Sequence, residues 1–392
     1  MTVSAPRRRL ESVDAVRGLI IILMALDHTR DFFGDLAADP TNLAATTAPL
    51  FFTRWITHFC APAFFLLTGT GAFLSLNRMT RAALSRFLLT RGLWLIVLEL
   101  TVLRLVMQFN VDYQVTIVTV LWALGWAMIF LAGLVWLPLW LIAVIGAAMV
   151  LGHNLLDGIT AASLGALAPL WTVLHAPGFL IHTERFSLFI SYVLVPWVGV
   201  TALGFALGVV FRLEPARRAH LLLWWGWGAI AAFFLLRAAN IYGDPVPWSH
   251  QASPLWTAMS FLNVSKYPPS LLFLLITLGP LLLALRAFDH RLPALARPAL
   301  IIGKVPLFFF LGHFLLIHLL AVAASFIRYS EIGAMFRSPD MAHFPFSAPP
   351  DWGASLPVIY AIWITVVLIM FPFCRRYADL KRRSGAWWFS YL

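Results

Sequence analysis

The segment RGLIIILMALDHTRDFFGDLAADPTNLAATTAPLFFTRWITHFCAP, which runs from Arg17 to Pro62, decides the fold of this chain. Two apolar segments flank a short polar loop, and each of them carries a histidine where hydrocarbon is expected, His28 in the first and His58 in the second. An ionisable residue inside a membrane segment costs free energy and therefore indicates a functional site. We predict that these two histidines form the centre of the chemistry.

The composition around this segment is that of a membrane protein. Of the 392 residues, 61% are hydrophobic and only 11% are charged. Apolar runs of about 20 residues follow one another too closely for separate soluble domains. We therefore predict an all-α fold, with residues 1–392 forming a single polytopic integral-membrane domain.

About ten membrane spans fit the apolar runs. A further segment, 160–184, is moderately apolar and contains prolines and histidines, so it is expected to be a re-entrant or interfacial segment or an eleventh span. The ten predicted spans are 15–33, 50–74, 88–109, 115–136, 138–156, 186–211, 219–240, 269–288, 303–327 and 354–374.

The distribution of basic residues predicts the orientation of these spans. With the N-terminus in the cytoplasm, 20 of the 28 Lys and Arg residues fall on the cytoplasmic side and two lie within spans. This asymmetry follows the positive-inside rule and predicts that both termini are cytoplasmic, in a multi-pass protein of the inner cell membrane. The net charge of +11 therefore indicates anionic lipid headgroups as its partner, not nucleic acid. The six remaining basic residues are Arg30, Arg54, Arg185, Lys266, Arg328 and Arg337.

This orientation gives both histidines a similar depth. His28 lies roughly 20 Å from the cytoplasmic side of a hydrocarbon core about 30 Å thick. His58 lies roughly 12 Å below the outer end of the second span. We expect the hairpin to bring both rings into one cavity in the outer half of the membrane.

Further polar residues on the outer side are candidates for substrate binding, namely Arg54, Asn240, Lys266 and His313. His313 and His318 are five residues apart on one helix, so they do not share a face and are not expected to bind a metal together. The two cysteines have no metal-type spacing either, and we predict no metal site.

Several stretches resemble a superfamily of transmembrane acyltransferases. RLESVDAVRGLIIILMALDHTRDFF resembles its opening, and Arg17 and His28 match the Arg-x10-His arrangement of the acyltransferase-3 family. THFCAPAFFLLTGTGAFLSL, FLNVSKYPPSLLFLLITLGP, GKVPLFFFLGHFLLIH and the C-terminal WWFSYL resemble bacterial relatives of heparan-alpha-glucosaminide N-acetyltransferase. That enzyme carries its catalytic histidine in the first outer loop, whereas the loop 34–49 contains none here.

The resemblance implies transfer of an acyl group, expected to be acetyl, from cytosolic acyl-CoA to a hydroxyl or amino group of an extracytoplasmic sugar or glycolipid. Because coenzyme A is polyanionic, a basic inner mouth is expected to bind its phosphates. The residues of this predicted mouth are Arg17, Arg78, Arg81, Arg86 and Arg91.

His28 is the predicted general base, since the pKa of a histidine lies near the working pH. Asp27 or Asp31 is expected to orient its imidazole, and His58 to polarise the thioester carbonyl or protonate the leaving thiolate. Direct transfer and an acetyl-histidine intermediate both remain open.

Alternative interpretations remain for the function and for the individual residues. The intramembrane His, Asp, Glu and Arg residues also fit a transporter or proton-coupled permease, although no repeat pairs the two halves of the chain. His28 and His313 also fit hydrogen-bonding partners that join helices, and Arg17 fits an anchor of the first helix. A homodimer is compatible with the sequence. The sequence does not identify the acceptor.

Overall fold

The computed structural model describes residues 10–36, 39–339, 344–384, 386, 389 and 391. Arg7 to Arg9, which contribute to the predicted cytoplasmic charge, lie outside these residues. The described chain is mainly helical, with α1 Glu11–Phe33, α2 Ala48–Ile56, α3 Cys60–Ser75, α4 Arg81–Leu98, α5 Arg104–Gln108, α6 Val120–Leu134, α7 Leu139–Gly152, α8 Ala168–Leu174, α9 Leu194–Leu207, α10 Pro215–Ala239, α11 Pro254–Leu262, α12 Leu271–His290, α13 Arg297–Gly303, α14 Pro306–Tyr329 and α15 Leu356–Arg383.

Shorter helical turns extend or join these helices. A π-helical turn, Glu99–Leu103, connects α4 to α5, and the 3₁₀ turn Thr57–Phe59 connects α2 to α3. The other 3₁₀ turns are His153–Leu156, Ala161–Leu167, Gly208–Arg212, Ala294–Ala296 and Gly333–Phe336.

Helices occupy all ten positions at which spans are predicted. Seven of them, among the described residues, are long and apolar enough to cross a membrane. The others differ for physical reasons: α1 and the α4–α5 helix contain charged side chains, and α6 has only 15 residues. The chain is thus a multi-pass helical membrane protein, while the exact number of spans and the location of the termini stay predictions. The seven segments are Ala48–Ser75, Leu139–Leu156, Leu194–Arg212, Pro215–Ala239, Leu271–His290, Pro306–Tyr329 and Leu356–Arg383.

A small sheet accompanies the helices, and the chain is consistent with the predicted all-α membrane fold. Strands β1 Val115–Val118, β2 Gly178–His182 and β3 Ser187–Ile190 form a sheet in the order β1-β3-β2, with β1 parallel and β2 antiparallel to β3. Strands β1 and β3 consist mainly of apolar and β-branched residues. Because they are apolar, their sequences resemble the ends of helical spans, whereas their β-branched side chains favour strands.

The segment 160–184 forms no single helix long enough to cross a membrane. It contains the 3₁₀ turn Ala161–Leu167, the seven-residue helix α8 and strand β2. A helix of that length rises only about 10 Å, far less than the hydrocarbon thickness.

Pairs of glycines allow neighbouring helices to approach closely. A Cβ atom on Gly92 of α4 would lie 2.5 Å from the Gly125 carbonyl oxygen of α6, and one on Gly125 would lie 2.6 Å from that of Gly92. Small residues at such crossings bring backbones together, which is how helices associate in lipid. Similar close approaches join α3 to α9, α7 to α9, α10 to α12 and α1 to α13, through Gly69 and Gly204, Gly146 and Gly199, Gly226 and Gly279, and Gly18 and Gly303.

Helix α1 lies at the centre of the bundle and positions the candidate site. It packs against α3, α12, α13, α14 and α15. The indole N–H groups of Trp363 and Trp352 donate to the carbonyl oxygens of Ile22 (2.8 Å) and Phe32 (3.0 Å), which fixes α1 against α15 and the segment before it. The side chains of α1 therefore project into an environment built by four or more other helices.

Candidate active site

His28 of α1 and His313 of α14 form a buried pair. The distance between His28 Nδ1 and His313 Nε2 is 2.7 Å, and the two rings stack with centroids 5.0 Å apart. Phe314 stacks on the His28 ring with centroids 4.1 Å apart. His313 therefore faces the site, as its position near the middle of its span predicts. It contacts His28 directly, whereas the sequence predicts that it binds the substrate.

Hydrogen bonding determines which nitrogen of each ring carries a proton. His313 Nδ1 lies 2.9 Å from the Phe309 carbonyl oxygen, which can only accept, so this nitrogen is the donor. In a neutral ring His313 Nε2 is then an acceptor, and His28 donates to it through Nδ1. His28 Nε2 consequently holds a lone pair and makes no hydrogen bond to a described residue. The half-buried His28 therefore has the protonation state of a base or nucleophile.

His58 lies apart from this pair. Its side chain is only 3% exposed, and its ring packs against Phe273 with centroids 5.3 Å apart. Within the described residues, His58 Nδ1 has no hydrogen-bond partner, and no hydrogen bond or ring contact joins His58 to His28. A distant helix therefore supplies the ring that pairs with His28, and the expectation that the hairpin brings His28 and His58 into one cavity stays a prediction.

The two aspartates do not orient the His28 ring. Asp27 Oδ1 accepts from Arg30 Nη2 at 2.8 Å, and Asp27 Oδ2 forms a short ion pair with Arg54 Nη1. Asp31 Oδ1 accepts from the same Arg30 nitrogen at 2.6 Å. Both carboxylates are therefore occupied by arginines, and the predicted Asp–His arrangement is corrected to a His–His arrangement.

Lys266 joins the same group of charges from the segment before α12. Its Nζ lies 3.9 Å from Asp27 Oδ2 and 5.2 Å from the centre of the Tyr267 ring. We call the five residues Asp27, Asp31, Arg30, Arg54 and Lys266 the Asp27 cluster.

A hydrogen-bond network fixes the segment that carries Lys266. Arg237 donates to the carbonyl oxygens of Val246, Ser260, Phe261 and Asn263 at 2.8 to 3.1 Å. Asp244 accepts from Ser265 N and Ser270 Oγ at 2.8 and 2.6 Å, and burial raises the pKa of its carboxyl group, an effect that these hydrogen bonds partly offset. The position of Lys266 is therefore determined by side chains buried behind it.

Asn240, the remaining substrate-binding candidate, has a local role. It adopts the left-handed conformation (φ 55°) at the end of α10. Its side-chain amide donates to the Trp248 carbonyl at 2.9 Å and accepts from the Trp248 N–H at 3.1 Å. This arrangement closes a turn and gives no indication of ligand binding.

A cavity of about 280 Å³ lies at the end of α1 that contains Arg17, and we call it the inner cavity. Arg17 and Arg91 line it, as expected, together with Lys304 and Lys381, whose contribution the sequence did not indicate. Apolar side chains form the rest of the wall, and Phe310 lines the cavity while its ring contacts His28 with centroids 6.1 Å apart. The inner cavity therefore extends from four basic residues to the aromatic ring beside the histidine pair.

The other predicted donor-binding arginines do not line the inner cavity. Arg78, Arg81 and Arg86 are exposed, because they lie at the start of α4 or in the turn before it and their side chains point away from the bundle. The sequence places these arginines near one membrane surface, but it does not show whether each side chain faces the inner cavity or points away from it.

A second cavity, of about 630 Å³, lies at the opposite end of α1, and we call it the outer cavity. Arg30, Asp31 and Asp35 line it together with Thr47 and Tyr360. Arg17 and Asp31 are separated by 14 residues, or about 21 Å of helix, and His28 lies between them. One helix thus contributes residues to both cavities and to the histidine pair.

Glu99 is a polar residue whose structural role the sequence left open. Its carboxylate accepts from the N–H groups of Thr119, Leu121 and Trp122 at 2.7 to 3.1 Å and so caps the N-terminus of α6. Arg104 instead donates to the Asn110 carbonyl at 2.7 Å. The two residues form no ion pair with each other in the described structure.

The fold and site define a multi-pass membrane protein with a histidine pair between two cavities on one central helix. The model of the heparan-alpha-glucosaminide N-acetyltransferase catalytic family matches residues 9–238, which is more than half of the chain. The chain belongs to this family, as the resemblance of its opening segment predicts. Comparison with the curated proteins finds no match. Membership of an acetyltransferase family favours an enzyme over the transporter alternative, while the roles of individual residues stay predictions.

Proposed function

We propose that this protein transfers an acetyl group from cytosolic acetyl-CoA to a hydroxyl or amino group of an extracytoplasmic sugar or glycolipid. The observation that carries this proposal is the position of His28. On α1, His28 lies between Arg17, which lines an inner cavity with a basic mouth, and Asp31, which lines an outer cavity with polar walls. A base in that position serves a donor and an acceptor that arrive from opposite sides.

The inner cavity has the chemistry of a site for an acyl-CoA. Arg17, Arg91, Lys304 and Lys381 provide positive charge for its phosphates, since guanidinium and ammonium groups are the usual phosphate ligands. Apolar residues such as Leu88, Leu121 and Leu307 suit the less polar part of the donor. With the phosphates at the mouth, the thioester end would approach Phe310 and the histidine pair.

The reaction follows from the protonation state of His28. In direct transfer, Nε2 removes the proton from the acceptor as its oxygen or nitrogen attacks the thioester carbonyl carbon. The carbon–sulfur bond breaks, the thiolate leaves, and the imidazolium returns the proton to it. In the alternative route Nε2 itself attacks the thioester carbonyl carbon, the carbon–sulfur bond breaks and the thiolate leaves. The acceptor then attacks the acetyl group on Nε2, the carbon–nitrogen bond breaks, and the acceptor's proton passes through the released Nε2 to the thiolate. In both routes His313 accepts a hydrogen bond from His28 Nδ1 and so keeps the proton of His28 on that nitrogen.

Proteoliposomes provide the test of this function. Acetyl-CoA labelled in the acetyl group is enclosed in liposomes that carry the protein, and a set of amino, neutral and phosphorylated sugars is added on the opposite side. We expect labelled product that requires the protein and that falls at least about a hundredfold in His28→Ala, the usual lower contribution of acid–base catalysis. Uptake of an unmodified sugar without acetylation would refute the proposal and support a transporter.

Mass spectrometry of the intact protein separates the two chemical routes. An increase by one acetyl group, observed with acetyl-CoA alone and absent in His28→Ala, indicates the acetyl-histidine route. An unchanged mass during turnover indicates direct transfer.

A further inference from the structure

The Asp27 cluster carries more positive than negative charge. Among the described residues, Arg30, Arg54 and Lys266 form ion pairs with only two carboxylates, those of Asp27 and Asp31. The side chains of the three basic residues are only 9 to 12% exposed. An excess charge is costly in such surroundings unless a partner compensates it. The balance of charge therefore indicates that an anion completes the cluster.

The hydrogen-bonding state of Lys266 supports this conclusion independently. Its side chain is 9% exposed, its distance of 3.9 Å to Asp27 exceeds that of a hydrogen bond, and its ammonium group donates to no described residue. Buried polar groups normally have hydrogen-bond partners, and an ammonium group has three donors. Lys266 thus has the donors that a ligand oxygen would occupy.

Two neighbours of Lys266 offer further donors. The hydrogen bonds from Arg54 to described residues all start at Nη1, which leaves its other N–H groups available. His58 lies within electrostatic range of Arg54 and Lys266, and its buried Nδ1 has no partner among the described residues. Arg54 Nη1 and Lys266 Nζ both pair with Asp27 Oδ2, so the donors of these two residues lie close enough together to suit a group with several oxygens.

Two members of the cluster also line the outer cavity. Arg30 and Asp31 belong to the cluster and line that cavity, and Asp27 precedes His28 in α1. An acceptor with its anionic group in the cluster would therefore extend into the outer cavity, at the level of α1 that carries His28, which lies one residue or about 1.5 Å along the helix axis from Asp27.

We propose that the acceptor carries a phosphate group, which the Asp27 cluster binds through Lys266 and Arg54. This inference rests on the proposed function and specifies the acceptor as a phosphorylated sugar or a phosphate-linked glycolipid. The phosphate positions the acceptor and takes no part in the covalent step.

Binding measurements test this inference without the transfer reaction. The full-length protein in nanodiscs is titrated with glucosamine 6-phosphate, with glucosamine and with farnesyl phosphate. We expect a phosphorylated probe to bind and Lys266→Met to weaken its binding about tenfold or more, since a hydrogen bond to a charged group contributes about 1.5–3 kcal/mol. Lys266→Arg should retain binding because it keeps the charge, and Arg185→Gln, an exposed basic residue of the β2–β3 hairpin, serves as the control.

The two phosphorylated probes identify the source of the phosphate. Binding of glucosamine 6-phosphate supports a soluble sugar phosphate, and binding of farnesyl phosphate alone supports a lipid-linked acceptor. Equal affinity in Lys266→Met and the wild type, or no preference for phosphorylated probes, would overturn the anion site. Met has a volume similar to that of Lys and removes no hydrogen bond to a described residue, so we expect Lys266→Met to fold.

Failure of this inference differs from failure of the proposed function. Phosphate binding that depends on Lys266, in a protein without acetyl transfer, would support the anion site and refute the acyltransferase. Transfer to a neutral sugar with unchanged kcat/KM in Lys266→Met would support the acyltransferase and overturn the anion site.

Discussion

Replacing His313 tests the tautomer assignment at the centre of the site. His313→Leu removes the acceptor for His28 Nδ1, whereas His313→Gln keeps an oxygen that can accept from it. Loss of the partner leaves an N–H group unsatisfied in an apolar environment, and the His28 proton can then move to Nε2. A ring protonated on Nε2 cannot act as the base.

The size of the effect follows from the hydrogen bond that is lost. His313 is 0% exposed, and its Nε2 lies 2.7 Å from His28 Nδ1. An unsatisfied buried donor costs about 1–3 kcal/mol, which corresponds to a decrease in kcat of roughly fivefold to more than a hundredfold. The KM for acetyl-CoA should change little, because the basic residues of the inner cavity are untouched. His313→Gln should retain most of the wild-type kcat.

The assay measures kcat per folded protein in nanodiscs, with the folded fraction determined by size-exclusion chromatography. His318→Leu is the control on the same helix, since its ring nitrogens lie 3.0 Å from the carbonyl oxygens of Val106 and Met335, away from His28. We expect it to reduce stability and leave kcat intact. Equal kcat values in His313→Leu and His313→Gln would refute the tautomer assignment.

Four further predictions concern the cavities, the packing and the orientation. Arg91 lines the inner cavity, so Arg91→Gln should weaken acetyl-CoA binding about tenfold in a titration. Arg86 is exposed on the same helix, and Arg86→Gln should leave binding unchanged. Equal affinities of the two variants would exclude the inner cavity as the donor site. Phe310→Ala should raise kcat/KM for hexanoyl-CoA relative to acetyl-CoA, because it removes the ring between the inner cavity and His28; an unchanged ratio would show that another residue limits acyl length. Gly92→Ala should destabilise the protein by about 1–3 kcal/mol and lower its melting temperature, since the new Cβ would lie 2.5 Å from a carbonyl oxygen, whereas Gly133→Ala has open space and should be neutral. A reporter active only in the cytoplasm, fused after the last residue, should be active; inactivity of a well-expressed fusion would reverse the predicted orientation.

The sequence identified several parts of the candidate site but not how they pair. It singled out His28, His58 and His313, because an ionisable residue in an apolar segment stands out at any position. It assigned Asp27 to His28, since the two are adjacent. In a helix, however, successive side chains point about 100° apart, so Asp27 faces Arg54 and Lys266 instead.

The donor side shows the same limit. The sequence grouped Arg17, Arg86 and Arg91 as basic residues near one membrane surface. Only the packing of α4 against α6 and α3 determines that Arg91 lines the inner cavity and Arg86 does not. Lys304 and Lys381 lie far away in the chain and reach this cavity through the packing of α13 and α15 near α1.

The sequence by itself determined the features that depend on local composition. Apolar runs of about 20 residues specify membrane helices, the motifs of the opening segment identify the family, and each intramembrane histidine is visible as an exception to its surroundings. The tertiary structure alone decided that His28 meets His313, 285 residues further along the chain, and that Lys266 completes the group around Asp27. These contacts depend on the rotation and crossing of helices, which backbone approaches such as that of Gly18 to Gly303 set and which no local pattern encodes.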